Sequence, residues 1–182
     1  MSDLTQLHGT YVLDPGHSSV GFVARHAMVT KVRGTFEEYE GKATIDGSNP
    51  AASDLTVTVK TASVNTRNAD RDTHLRSADF FDVEQFPEIT FVATSFDNAG
   101  AESVDVTGDL TIKGVTQSVT IPFEFSGEAQ DPFGNIRIGF EGSTDVNRSD
   151  FGLTWNAALE TGGLLVSDKI KLEFEVSAVK QA

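Results

Sequence analysis

Along most of this chain, apolar residues recur at every second position. Leu55, Val57 and Val59 alternate with Thr56, Thr58 and Lys60; Val104, Val106, Gly108, Leu110 and Ile112 repeat the pattern, as do Ile170, Leu172, Phe174, Val176 and Ala178. Successive side chains of an extended strand point to opposite faces, so this spacing demands strands with one buried face. The same signal runs through Ile89, Phe91 and Ala93, through Val119, Ile121, Phe123 and Phe125, and through Ile136, Ile138 and Phe140. About eight strands result, and no helical pattern is long enough for the crossover that parallel pairing needs. The fold class is therefore all-β and antiparallel.

Turn formers punctuate these runs. Asp14-Pro15-Gly16 is read as a chain reversal between strands at Gly9–Asp14 and Ser18–Arg25, and a change of parity between Phe36 and Tyr39 calls for a bulge or bend at Glu37-Glu38. The 182 residues hold no Pro- or Ser-rich linker, so residues 1–182 are read as a single domain. Strands of about ten residues connected in series favour an up-and-down closed barrel over a sandwich. Gly34, Gly41, Gly108 and Gly142 inside the strands permit the coiling that closure requires. A barrel of about eight strands is filled by side chains or holds one ligand.

One stretch, Ser63 to Phe91, drops the alternation. Asn68 is a good N-cap, Asp72 and Arg76 stand four apart in the favourable acid-before-base order, and Pro87 terminates. These features predict one short helical segment near residues 68–86, with a second turn capped by Ser77 or Asp79. Phe80, Phe81 and Phe86 then need an apolar destination, so the stretch is read as a plug whose rings face the barrel interior. A second gap, Asn147 to Val166 with Gly162-Gly163, reads as a long loop.

Composition narrows the function. Thirteen Phe against one Trp and two Tyr make an oily interior with few hydrogen-bonding handles, and the absence of Cys excludes disulfides, thiolate metal sites and cysteine nucleophiles. Acidic residues outnumber basic ones 27 to 14, and the net charge of −13 disfavours nucleic acid and anionic membranes as partners. The first residues carry neither a basic nor an apolar leader segment, and no apolar run approaches the roughly 20 residues of a spanning helix. The expectation is a cytoplasmic protein without stable membrane insertion.

Asp14 with His17-Ser18, Phe22 and His26, then Gly34 and Phe36, open a recognisable pattern. It continues in Arg71-Asp72-x-His74-Leu75, Asp79-Phe80-Phe81-Asp82, Phe86-Pro87-x-Ile89-Thr90-Phe91, Gly108-x-Leu110-Thr111-Ile112-x-Gly114-x-Thr116 and Arg148-x-Asp150-Phe151-Gly152. From Tyr11 to Val179 the chain resembles the YceI family. The resemblance implies a lipocalin-like antiparallel barrel with a small helical element and a long apolar tunnel. It implies binding of a polyisoprenoid or similar long-chain amphiphile, such as an isoprenoid diphosphate, a prenyl quinone or a fatty amide, without a cofactor or catalysis. It also suggests a homodimer.

For such a ligand the expected contacts are Phe22, Phe36, Phe80, Phe81, Phe91, Phe123, Phe140 and Phe174, although the same rings would equally serve a filled core. His26, Arg71 and His74 are candidates at the mouth, the two histidines facing each other. Arg25, Lys31 and Arg33 form one basic cluster and Arg67, Arg71 and Arg76 another, suited to a phosphate or carbonyl head group if they share a rim. Arg71 would alternatively pair with a carboxylate and hold the plug closed. No HxH or HExxH spacing supports zinc, and no GxSxG elbow supports a hydrolase. Arg148 is read as a buried structural residue held by a carboxylate, with Gly152 allowing a tight turn. Two alternatives are an enzyme acting on a bound amphiphile through His26, His74 or nearby acids, and a stress-associated interaction protein whose barrel is filled.

Overall fold

The computed structural model describes residues 3–157, 159 and 165–182. Its elements are β1 (His8–Leu13), β2 (Ser19–His26), β3 (Thr30–Phe36), β4 (Tyr39–Asp46), β5 (Asp54–Lys60), β6 (Val64–Asn65), α1 (Ala69–Arg76), β7 (Glu88–Asn98), β8 (Ser103–Ile112), β9 (Val115–Gln130), β10 (Ile136–Asn147) and β11 (Lys169–Lys180). The first six strand segments are halves of three long, bent strands: β1 with β2, β3 with β4, and β5 with β6. Each long strand pairs antiparallel with the next, and β1 and β2 return to β11, closing an eight-stranded barrel with one short helix. The bend between β3 and β4 falls at Glu37-Glu38, where the change of parity places it.

Asp14-Pro15-Gly16 corrects the sequence reading, because it reverses nothing. β1 lies along β11 from Tyr11↔Lys180 to Leu13↔Ala178, and β2 continues in the same direction from Ser19↔Glu175 to Val23↔Lys171. Between them Pro15–His17 makes one 3-10 turn capped by the Asp14 carboxylate, which accepts from Gly16 N at 3.0 Å. The Ser18 hydroxyl donates to Ser177 O at 3.1 Å and accepts from Ser177 N at 2.9 Å, so a side chain replaces the backbone pair that the kink removes. The local turn chemistry is as read. Its outcome differs because the common neighbour β11 holds both arms in line.

Arg137 ties this kink to the β9–β10 turn, donating to Asp14 Oδ2 at 2.7 Å and to Asp131 Oδ2 at 2.8 Å. Hydrogen bonds from Arg137 and then His17 hold the Asp14 carboxyl below its usual 3.8. Loss of water pushes Asp131 upward, but Arg137, Asn135 and the Phe133 backbone outweigh that and bring it to about 2. Both carboxyls are depressed in the fold, so their stabilisation is present above the unfolded value of 3.8 and is lost as the pH falls toward 2. Arg137→Gln is accordingly expected to lower the melting temperature at neutral pH. The gap between variant and parent should close in acid, and a pH-independent gap would contradict this assignment.

At the same end of the barrel, Leu4–Gln6 forms a 3-10 turn that buries Leu4 and Leu7 beneath the strands. Leu4 N donates to Ala101 O at 3.0 Å and Gly47 N to Leu7 O at 2.7 Å. This cap closes one mouth.

The opposite mouth receives the helical segment. Asn68 caps α1, accepting from Arg71 N at 3.0 Å, as its residue type predicts. The Asp72–Arg76 pair expected along the helix does not form. Asp72 is buried and accepts from Thr66 N at 2.9 Å and Thr66 Oγ1 at 2.6 Å, while Arg76 donates to the carbonyls of Ala62 and Val64. A buried carboxylate requires hydrogen bonds, whereas an exposed i,i+4 pair is worth a few tenths of a kcal/mol, so the tertiary contacts win. Arg71 likewise meets no carboxylate among the described residues; it donates to Thr66 Oγ1 and Thr66 O, both at 2.8 Å. The helix is thus stitched to the strand it leaves. Beyond it Phe80 N bonds Ser77 O and Phe81 N bonds Leu75 O, and both rings turn inward. Phe86 does not follow them: its ring packs over Gly114 in the β8–β9 turn, where a Cβ would lie 2.9 Å from Phe86 Cε1.

Candidate functional site

The barrel is hollow. A cavity of about 330 Å³ runs from Leu4, Leu7 and Pro50 at the capped end to Leu75, Phe81 and Val166 beneath the helical segment. That volume is at the lower end of the usual range for ligand pockets, roughly 300–1,000 Å³. Its wall is almost entirely aliphatic and aromatic carbon.

The strand glycines explain why thirteen phenylalanines leave a cavity at all. Phe22 is the cross-strand partner of Gly34 and Phe123 that of Gly142. A Cβ on Gly34 would lie 2.3 Å from the Phe22 ring, one on Gly142 2.6 Å from Phe123, and one on Gly108 2.5 Å from Phe91. Each ring therefore lies flat against a neighbouring strand instead of projecting across the lumen. The sequence reading assigned these glycines to coiling; the cross-strand Phe-Gly pairing that reveals their other role depends on register. The rings then meet edge-on or tilted, with centroids 5.7 Å apart for Phe22–Phe36, 5.6 Å for Phe36–Phe81 and 6.1 Å for Phe123–Phe174.

All eight phenylalanines singled out from sequence, Phe22, Phe36, Phe80, Phe81, Phe91, Phe123, Phe140 and Phe174, contribute to this wall. Sequence reasoning missed Tyr11, Phe96 and Phe151, which join them. Period-2 spacing from Ala93 marks a face that would exclude Phe96, but a bulge between Ala93 and Ser95 shifts the parity and turns that ring inward.

His26, Arg71 and His74 do not line the cavity. His74 bonds Asp79 through Nε2 at 2.8 Å, and its ring stands edge-on to Phe80 at 5.1 Å and to Trp155 at 4.6 Å, joining the helix to the β10–β11 connection. His26 is exposed at the end of β2 and bridges to the Val166 backbone. The expected pairing of the two histidines across the mouth is not formed, because His74 is spent on Asp79 and Trp155. His17 binds Asp14 at the capped end of the barrel. Among the described residues no three His, Asp or Glu side chains gather as metal ligands. Lys42, Asp46 and Arg148 are the chargeable residues with atoms in the wall, and no two of them form an ion pair among the described residues.

Arg148 is buried as expected, but its partners are not. The guanidinium donates to the carbonyls of Ser167 at 2.8 Å, Leu153 at 2.7 Å, Trp155 at 2.8 Å and Val166 at 3.3 Å. The nearby Asp168 carboxylate instead accepts from Ser149 N and Ser149 Oγ. Burial pushes the Arg148 pKa down and Asp168 partly opposes this. A strandless connection leaves carbonyls without ladder partners, and a planar five-donor fork satisfies several at once. The connection opens with a 3-10 turn, Arg148–Phe151, ended by Gly152 at φ 76°, a left-handed position that suits glycine. The Gly162-Gly163 pair lies outside the described residues.

The chain matches the YceI-like domain family over residues 11–178. It is 44% identical over 153 residues to a UPF0312 protein of Ectopseudomonas mendocina (strain ymp), spanning 83% of this chain and 80% of that one. Its fold is similar to that of Burkholderia cenocepacia BcnA, with a TM-score of 0.80 and 25% identity over 91% of this chain and 98% of that one. It is also similar to a polyisoprenoid binding domain from Saccharophagus degradans implicated in plant cell wall breakdown, with a TM-score of 0.73 over 96% of this chain and all of that one; at 16% identity this likeness is one of fold. With a family match across nearly the whole barrel and a curated relative of comparable length, the chain belongs to the YceI-like family.

Proposed function

We propose that this protein binds a polyisoprenoid or similar long-chain amphiphile in the barrel and sequesters or carries it without chemical change. The observation that carries this reading is the continuous apolar cavity walled by nested phenylalanines. A polyprenyl tail offers only hydrocarbon, and each CH₂-sized group moved from water into such a wall contributes roughly 0.8 kcal/mol. The eight phenylalanines from Phe22 to Phe174 are its contacts in this proposal. His26 and His74, which an enzymatic reading would enlist, stand outside the cavity, and that placement favours binding over catalysis. Fold kinship with a polyisoprenoid binding domain adds support.

Organic extraction and mass spectrometry of freshly purified protein should return a long-chain isoprenoid or related amphiphile. Ala43→Phe places a ring into the cavity from a half-buried wall position. Co-purifying lipid should fall at least about tenfold, the ring displacing a few CH₂-sized contacts, while the melting temperature is held or raised. A clean apo mass for the parent protein would overturn the reading.

A further inference from the structure

We infer that the tip of the β2–β3 hairpin docks on an anionic lipid bilayer, so that amphiphiles enter the cavity from the membrane at this end. The second clause rests on the binding function proposed above, whereas the docking surface stands on its own geometry.

The hairpin turns through Ala27 and Met28, with Val29 N donating to His26 O at 3.1 Å. Both central residues are left-handed, at φ 52° and 63°. That turn favours Asn-Gly; alanine and methionine are strained there. The chain thus keeps apolar bulk where glycine would be more stable. Met28 is 68% exposed and Val29 75% exposed, an adjacent apolar pair in open solvent. Single exposed apolar residues need no explanation, but an exposed apolar pair that begins on a strained residue, Met28, at the apex of a hairpin points to a surface that covers it.

The charges around the tip point the same way. Arg25 and Lys31 are direct cross-strand partners, an arrangement that repels. Neither has a carboxylate partner among the described residues. One row further, Arg33 and Lys171 share Glu173, at 3.1 and 3.9 Å. Asp145, the direct cross-strand partner of Lys171, pairs with Lys169 at 3.4 Å. Five cations, Arg25, Lys31, Arg33, Lys169 and Lys171, around two carboxylates, Asp145 and Glu173, make a basic collar under the apolar apex of a chain whose net charge is −13. Salt damps the distant acids over about 8 Å, while each Lys or Arg at an anionic bilayer gains about 1 kcal/mol, so the local collar outweighs the global charge at contact.

The tip is also placed at an opening. β3 has its last pairing with β6 at Thr35, so among the described residues Thr30 to Gly34 have no strand on that side. Ala24, next to Arg25, and Val166, bridged to His26, both belong to the cavity wall. Among the described residues the other strongly exposed large apolar side chain, Phe133, lies in the β9–β10 turn at the opposite end, beside Asp131. No helix among the described residues is long and apolar enough to cross a membrane, and docking through this tip requires none.

The test is flotation of the full chain with phosphatidylcholine vesicles, with and without phosphatidylglycerol and free of isoprenoid. Binding should require phosphatidylglycerol and weaken with salt. Arg25→Gln with Lys31→Gln should weaken it about thirtyfold. Ala27→Asn with Met28→Gly should raise the melting temperature yet weaken binding at least about tenfold, separating loss of docking from loss of fold. The inference is overturned by indifference to phosphatidylglycerol, by binding that survives both double variants, or by a concentration-dependent dimer that the same substitutions dissolve. Because these vesicles carry no cavity ligand, failure here leaves the extraction test of the binding function untouched. An apo protein that still floats would sink that function and spare the docking surface.

Discussion

Gly47→Ala is expected to unseat the cap of the barrel and cost about 3–5 kcal/mol of stability, an effect far beyond its single methyl group. A Cβ at Gly47 would lie 1.9 Å from Leu4 O and 2.9 Å from Thr5 C. Both neighbours are backbone, so no side-chain rotation relieves the overlap. The 3-10 turn at Leu4–Gln6 must lift, and with it go Leu4 and Leu7, 6% and 1% exposed in the fold. Fully burying a leucine is worth about 1.5–3 kcal/mol, and the bond from Gly47 N to Leu7 O is lost as well. Urea titration measures the loss. Because Leu4 and Leu7 close one end of the cavity, retained lipid should also fall in extracts of the variant. A change below about 1 kcal/mol would mean that the cap relaxes without leaving its seat.

The second large effect is expected at Arg148→Met, which keeps the aliphatic stem and removes the fork. Four carbonyls, on Leu153, Trp155, Val166 and Ser167, then lose their shared donor. Leaving buried polar groups unsatisfied costs about 1–3 kcal/mol each before relaxation, and partial access to water should bring the total to about 3–5 kcal/mol. Arg148→Lys retains the charge but offers three donors in place of five, so it should fall between parent and Met variant. Urea midpoints order the three proteins. Hydrogen exchange should show the loss first at Val166 and Leu153, whose amides bond Asn156 Oδ1 and Arg148 O. Equal stability of the Lys and Met variants would show that the positive charge contributes little and that the fork geometry is what matters.

Barrel and tunnel wall were legible from spacing, because side-chain direction in a strand alternates strictly. Val104 to Ile112 and Ile170 to Ala178 declare one inward face each, and the phenylalanines within such runs could only face the lumen. Phe96 escaped this logic through a bulge, and Phe86 through an irregular stretch that carries no periodicity. The polar residues were less legible. Asp72, Arg71, Arg76 and Arg148 all found backbone or hydroxyl partners where ion pairs had been expected, because neighbours in sequence compete with unsatisfied backbone groups brought near by folding. His26 and His74 were separated because the Asp79 carboxylate and the Trp155 ring hold His74.

What the sequence determined by itself is the all-β class, an antiparallel series of about eight strands, one short helical interruption, and an apolar interior, since each follows from residue periodicity and local turn chemistry. Only the tertiary structure decided that Asp14-Pro15-Gly16 is a kink rather than a reversal, because that depends on β11 holding both arms. It alone decided that the interior is hollow. Whether a phenyl ring fills a lumen or lies against its wall depends on the residue opposite on the next strand, and register across hydrogen-bonded strands sets Phe22 against Gly34 and Phe123 against Gly142.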